Sequence, residues 1–144
     1  MNYADVKDKI ESVEGLISAT EAECLFNLIQ QMPENGVALE IGSHMGKSSV
    51  AMGLPCMGTG KRLFCMDLWG YIPALDSWEK TIREFGLFDY VTPIRGWSGE
   101  ILLDWVVGLS TKRFDLVFID GNHELSDAMK DFMLIYPFVK IGGV

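Results

Sequence analysis

Val37-Ala-Leu-Glu40-Ile41-Gly42-Ser43-His44-Met45-Gly46-Lys47-Ser48 decides the fold. The turn-forming run Pro33-Glu-Asn-Gly36 precedes it, so Val37–Ile41 reads as a short, buried strand. Gly42 to Gly46 is a loop, and Lys47 to about Met57 is predicted to be a helix. A glycine-bearing loop between a strand and a helix is where α/β proteins grip ligands. Three patterns compete for it. A phosphate-binding P-loop requires G-x-x-x-x-G-K-[ST]; Gly46-Lys47-Ser48 matches the tail, but Ile41 stands where the leading glycine belongs. A dinucleotide fingerprint requires G-x-G-x-x-G, whereas the glycines here are spaced G-x-x-x-G. The third pattern is E-x-G-x-x-x-G-x-S, from Glu40 to Ser48.

Outward from the loop, the hydrophobic period alternates between strand and helix. On the N-terminal side, Val6, Ile10 and Val13 recur at helical spacing. Ser18-Ala-Thr-Glu21 and the overlapping Thr20-Glu-Ala-Glu23 both fit a capping box before the stripe Ala22, Leu25, Phe26, Ile29. On the C-terminal side, Arg62–Asp67 reads as a second strand ending in a carboxylate. Leu75, Trp78, Ile82 and Phe85 mark a helix. Tyr90–Arg95 is a third strand, which Pro93 assigns to an edge. Ile101, Leu102, Trp105, Val106 and Leu109 mark the next helix. Phe114–Asp120 is a fourth strand, again ending in a carboxylate, and Leu125 to Val139 is a helix terminated by Lys140-Ile-Gly-Gly143. Two helices are therefore followed by four strand–helix units. Near-continuous apolar strands in that order predict an α/β fold, a doubly wound, Rossmann-like parallel sheet with helices on both faces. The expected division is a single domain, residues 1–144, with N-terminal helices over 1–33 and an α/β core over 34–144.

Composition narrows the function. The 144 residues carry 12 Lys and Arg against 20 Asp and Glu, a net charge of −8. No basic stripe is available to neutralise phosphates, which argues against nucleic acid as a partner. The longest apolar run, Phe132 to Val139, includes Pro137 and is too short for a membrane span. Cys24, Cys56 and Cys65 are odd in number and widely spaced, as in a reduced, cytoplasmic protein. The mean hydropathy of +0.18 is high for so small a domain.

Four motifs together resemble the class I S-adenosylmethionine-dependent methyltransferases. The chain looks most like their small-molecule branch of catechol, caffeoyl-CoA and macrocin O-methyltransferases and cephalosporin-hydroxylase-like proteins. The motifs are Glu40–Ser48, Asp67-Leu-Trp69, Phe114-Asp-Leu-Val-Phe-Ile-Asp120-Gly-Asn-His123 and Lys140-Ile-Gly-Gly143, with Gly15-Leu-Ile-Ser18 leading into Glu21 as a helical entry. The resemblance implies methyl transfer from S-adenosylmethionine to a small-molecule acceptor, at a hydroxyl oxygen. Gly42 and Gly46 would admit the methionine tail, and Ser43, Ser48 and the following helix start would receive its carboxylate. Glu40 would favour the ammonium, and Asp67, followed by Leu68, would accept the ribose hydroxyls. Trp97 and Ser98 would flank the adenine by stacking and hydrogen bonding, although many relatives carry an acid where Trp97 stands. Structural roles remain open beside these: the glycines as turn formers, Asp67 as a loop cap, Trp97 as core.

Asp120 ends strand four beside the expected methyl group, and His123 is one of two histidines. A base near the acceptor suits an imidazole, while a solvent-facing helix start suits it equally. In metal-dependent relatives an aspartate in the position of Asp120 binds a Mg²⁺-type cation, so Asp120 is also the candidate metal ligand. The resemblance implies seven strands, of which this sequence supplies four and the start of a fifth. The chain therefore reads as the N-terminal part of a longer enzyme. Its apolar Leu116–Ile119 is expected to remain an edge that pairs with a second copy, giving a homodimer. The alternatives are an NAD- or ATP-binding module and a non-catalytic fragment that keeps the fold.

Overall fold

A computed structural model describes residues 1–70, 72–108 and 110–144. Helix α1 (Lys7–Glu11) and helix α2 (Ala19–Gln31) lead into strand β1 (Val37–Ile41). Helix α3 (Lys47–Gly53), β2 (Arg62–Asp67), α4 (Ile72–Glu84), β3 (Val91–Arg95), α5 (Ser98–Val107), β4 (Leu116–Ile119) and α6 (Leu125–Ile135) follow. Every strand pair is parallel, and the sheet order is β3-β2-β1-β4. The predicted α/β doubly wound sheet is therefore present, with Pro93 on an edge strand as expected.

Side-chain alternation along β1 sorts the core into two layers. Ala38 belongs to the layer packed by Phe26, Ile29, Val50, Met52, Trp78 and Ile82, from α2, α3 and α4. Leu39 and Ile41 belong to the opposite layer, with Met66, Leu102, Phe114, Ile135 and Phe138. Chain reversal between consecutive strands brings all four carboxyl ends to one rim of the sheet, where loops rather than helices close the surface.

Several boundaries differ from the sequence expectation. α3 gives way at Leu54–Cys56 to a 3₁₀ turn instead of running to Met57. Pro55 explains this, since its ring lacks an N–H for the helix ladder. Helix α6 likewise ends at Ile135, and Tyr136–Phe138 is a 3₁₀ turn around Pro137. The ladder of β4 covers only Leu116–Ile119; Phe114 makes an isolated bridge to Val139. Of the two capping boxes read at α2, Ser18–Glu21 forms: the Ser18 N–H donates to Glu21 Oε2 at 2.7 Å, and the Glu21 N–H donates to Ser18 Oγ at 3.3 Å. Leu109, expected in the α5 stripe, lies outside the described residues.

The outer side of β4 is partly covered. The Val117 N–H donates to Val144 O at 2.8 Å, and the Val144 N–H donates to Asp115 O at 3.0 Å. The last residues thus begin a line of pairing beside β4, as the turn at Gly142-Gly143 led one to expect. Among the described residues, no helix is long and apolar enough to cross a membrane.

Candidate functional site

A cleft of about 580 Å³ opens at the carboxyl ends of the strands. Of the residues expected in a site, Gly42, Ser43, Gly46, Ser48, Asp67, Leu68, Trp97, Ser98, Asp120 and His123 all line it. Glu40 does not. Its place in β1 turns it beneath the loop, fully buried, where Ser49 Oγ donates to Glu40 Oε2 at 2.5 Å. Trp78 Nε1 donates to the same Ser49 Oγ at 3.0 Å. Burial raises the Glu40 carboxyl above its ordinary value, against the opposing pull of neighbouring groups, Ser49 among them. Glu40 Oε1 and Ser43 Oγ lack hydrogen-bond partners, an unusual condition for buried polar atoms.

The loop is held from two sides. Gly42 adopts φ +92°, and a Cβ on it would stand 2.2 Å from the carbonyl oxygen of Asp120. Only glycine lets the loop after β1 lie this close to the end of β4. From the β2 side, Asp67 Oδ2 accepts the N–H groups of Ser43 and His44, each at 2.9 Å. Its Oδ1 accepts the Trp69 N–H at 2.6 Å. An ionised carboxylate has about four acceptor sites, so backbone donors occupy most of them. Asp67 therefore clamps the loop, with limited capacity left for ribose hydroxyls.

Trp97 is half exposed at the start of α5, so it is cleft wall rather than core. The Ser98 hydroxyl donates to Asp131 Oδ1 at 2.7 Å. Asp131 escaped the sequence reading. It projects from α6, only 5% of it is exposed, and it lines the cleft. Burial raises its carboxyl above the ordinary value, with Ser98 and Lys130 opposing and Asp127 reinforcing. Gly15, Leu16, Ile17 and Glu21 also line the cleft, which brings the helical entry motif to its rim.

Asp120 follows β4, with His123 Nε2 3.7 Å from its Oδ1. Burial raises the Asp120 carboxyl; His123 works against the shift and Glu21 adds to it. The expected cation fits poorly here. Mg²⁺ takes near-octahedral oxygen coordination, and among the described residues no group of three His, Cys, Asp or Glu is placed to hold a metal ion. The metal role assigned to Asp120 is not supported by this donor set.

A family model described as a methyltransferase domain matches residues 39–144. The chain belongs to that family. This methyltransferase domain superposes on the O-methyltransferase of Bacillus cereus in complex with SAH, with TM-score 0.71, 20% identity, and coverage of 95% of this chain and 59% of that one. For the O-methyltransferase TomG of Streptomyces achromogenes, involved in tomaymycin synthesis and in complex with SAM, the values are 0.72, 21%, 96% and 68%. For the precorrin 8W decarboxylase of Methanobacterium thermoautotrophicum they are 0.67, 21%, 92% and 63%. At such identities the likeness is one of fold. The methyltransferase domain spans roughly three-fifths to two-thirds of the length of these structures.

Proposed function

We propose that the domain binds S-adenosylmethionine in this cleft and transfers its methyl group to a hydroxyl oxygen of a small-molecule acceptor. The observation that carries the reading is the glycine loop closed against Asp120 and clamped by Asp67, in a chain of the methyltransferase family. Neighbours in complex with SAM and SAH support the same cofactor.

The residues present fit the group. Gly42 and Gly46 keep the loop backbone open to a close-lying ligand, and Ser43 keeps a buried hydroxyl oxygen without a partner. The carboxylates of Glu21, Asp67, Asp120, Asp127 and Asp131 line the cleft and favour a cation. When bound, the sulfonium supplies an electrophilic methyl group. The chain's own contribution is alignment, since holding two reactants at attack distance lowers the barrier by removing entropy from the step. Asp120, with its raised proton affinity, and His123 beside it are the groups that would accept the acceptor's hydroxyl proton. The reading also includes a cytoplasmic location, a homodimer, and a single domain over 1–144 with its core over 34–144.

Calorimetric titration with S-adenosylhomocysteine tests the proposal. Saturable heat at one ligand per chain is the expected result. Absence of heat, together with thermal stabilisation by NAD or ATP, overturns it in favour of a nucleotide-binding module.

A further inference from the structure

Two strained residues meet beneath the glycine loop. Among the described residues, His44 (φ +44°) and Trp69 (φ +41°) are the non-glycine positions with a left-handed backbone. That conformation crowds the Cβ of any residue but glycine. The two positions lie 25 residues apart in sequence, yet a closed ring of hydrogen bonds ties them together. Asp67 Oδ2 accepts the His44 N–H at 2.9 Å, and Asp67 Oδ1 accepts the Trp69 N–H at 2.6 Å. The Trp69 indole Nε1 then donates to the His44 carbonyl oxygen at 2.9 Å. One carboxylate thus orients both strained residues, and one indole closes the ring. Strain of this kind persists where the surroundings over-determine it, and it clusters at ligand sites.

The indole is itself fixed from below. Trp69 is buried against Trp78 of α4, with ring centroids 5.2 Å apart and planes at 53°. Trp78 Nε1 donates to Ser49 Oγ at 3.0 Å, which ties it to the first turn of α3. A Cβ on Gly46 would stand 3.1 Å from Trp78 Cδ1. The loop from Gly42 to Gly46 therefore rests on a pair of tryptophans. His44 is hydrogen-bonded to one ring, and Gly46 lies against the other. Neither ring lines the cleft, so both act on the loop from beneath.

We propose that Trp69 is a positioning residue for cofactor binding: its indole N–H latches the His44 carbonyl and holds the loop after β1 in the conformation that receives the ligand. This rests on the cofactor reading above and goes beyond it to what keeps the loop competent. Without the latch, His44 relaxes toward an ordinary backbone region, and only a fraction of the molecules presents a competent loop. Apparent affinity falls by that fraction.

Calorimetry on the full chain with S-adenosylhomocysteine tests the latch through a cycle of two substitutions. Trp69→Phe keeps a buried aromatic ring and removes the N–H. It is expected to weaken binding by about tenfold, as for one hydrogen bond lost at a partly buried carbonyl. His44→Gly makes the left-handed backbone accessible without strain. In that background Trp69→Phe is expected to weaken binding by no more than about threefold. A merely structural loss beneath the loop costs the same in both backgrounds, so equal penalties overturn the latch. Unchanged affinity in Trp69→Phe alone overturns it as well. If Trp69→Phe does not fold, hydrogen exchange of the wild type's own Trp69 indole N–H carries the test. Saturating S-adenosylhomocysteine is expected to slow that exchange by about tenfold or more; exchange indifferent to the ligand overturns the latch. A wild type that does not bind S-adenosylhomocysteine overturns the cofactor reading, and this inference with it.

Discussion

Gly42 shows how a single residue constrains the site. A Cβ there would meet the carbonyl oxygen of Asp120 at 2.2 Å and its carbonyl carbon at 2.5 Å, and neither backbone atom can swing away. Overpacking and left-handed strain together place the cost of Gly42→Ala at about 2–4 kcal/mol. Gly58 is the control, since it has φ +70° with nothing within 4 Å of a Cβ. Gly58→Ala then costs about 1 kcal/mol. Thermal melts of the two variants check this, and equal shifts would remove the steric account. Glu40 makes a second residue-scale prediction. Its folded-state proton affinity lies above the ordinary value of 4.5, chiefly through burial. The stability associated with its protonated form is therefore complete below that value and drains as pH rises through the raised folded one. Glu40→Gln holds a neutral side chain of the same shape, so its melting temperature should change less than the wild type's between about pH 5 and pH 8. Parallel curves would exclude Glu40 as the source. The two residues also mark how far the sequence could be read. The G-x-x-x-G spacing located the loop, because a backbone requirement survives in one dimension. The orientation of Glu40 follows from strand alternation, which turns it away from the ligand side and under α3. Asp131 was hidden because an acid in an amphipathic helix usually faces water; only the packing of α5 on α6 buries it.

At the scale of elements, the clearest junction is the start of β1 against the start of β4. Asp115 Oδ2 accepts the Val37 N–H and the Lys140 ammonium, both at 2.8 Å, while its own N–H donates to Val37 O at 2.7 Å. One carboxylate thus joins two strands to the segment that runs beside β4. Burial pushes this carboxyl up, but Lys140 and the Val37 N–H outweigh it and hold it below the ordinary value of 3.8. A depressed folded-state value gives stability that is present above 3.8 and lost as pH falls through the folded value. Asp115→Asn should lower the melting temperature at pH 7 and show a shallower further loss on acidification below about pH 4. An acid limb identical to the wild type's would assign the acid sensitivity elsewhere. The order of elements was legible because helical and strand periods differ, and Pro93 correctly marked an edge. Their ends were less so. Prolines 55 and 137 convert the last turns of α3 and α6 into 3₁₀ geometry, which retains the apolar spacing that a periodicity reading follows.

Over the whole molecule, the apolar surface is unevenly distributed. Leu125, Met129, Phe132 and Met133 of α6 and Tyr136 of the turn after it recur at helical spacing, and all are at least half exposed. Leu103, Val106 and Val107 of α5 add to the exposed apolar surface. On the opposite layer, α2 buries Ala22, Leu25, Phe26 and Ile29 within the fold. The high mean hydropathy thus has a location: it resides largely on the α5–α6 side. Contiguous exposed apolar surface of this kind favours association. The proposed homodimer would use this surface. Sedimentation velocity across a concentration series should show a reversible monomer–dimer shift for the wild type. Met133→Glu, at two-thirds exposure on α6, leaves the core untouched and places a charge within the stripe. It should move the midpoint to higher concentration by about tenfold or more, the equivalent of about 1.4 kcal/mol. A wild type that remains monomeric throughout would refute the dimer. A dimer indifferent to Met133→Glu would remove the α6 face as its contact and move the search to α5, where Val107→Glu is the next substitution to measure.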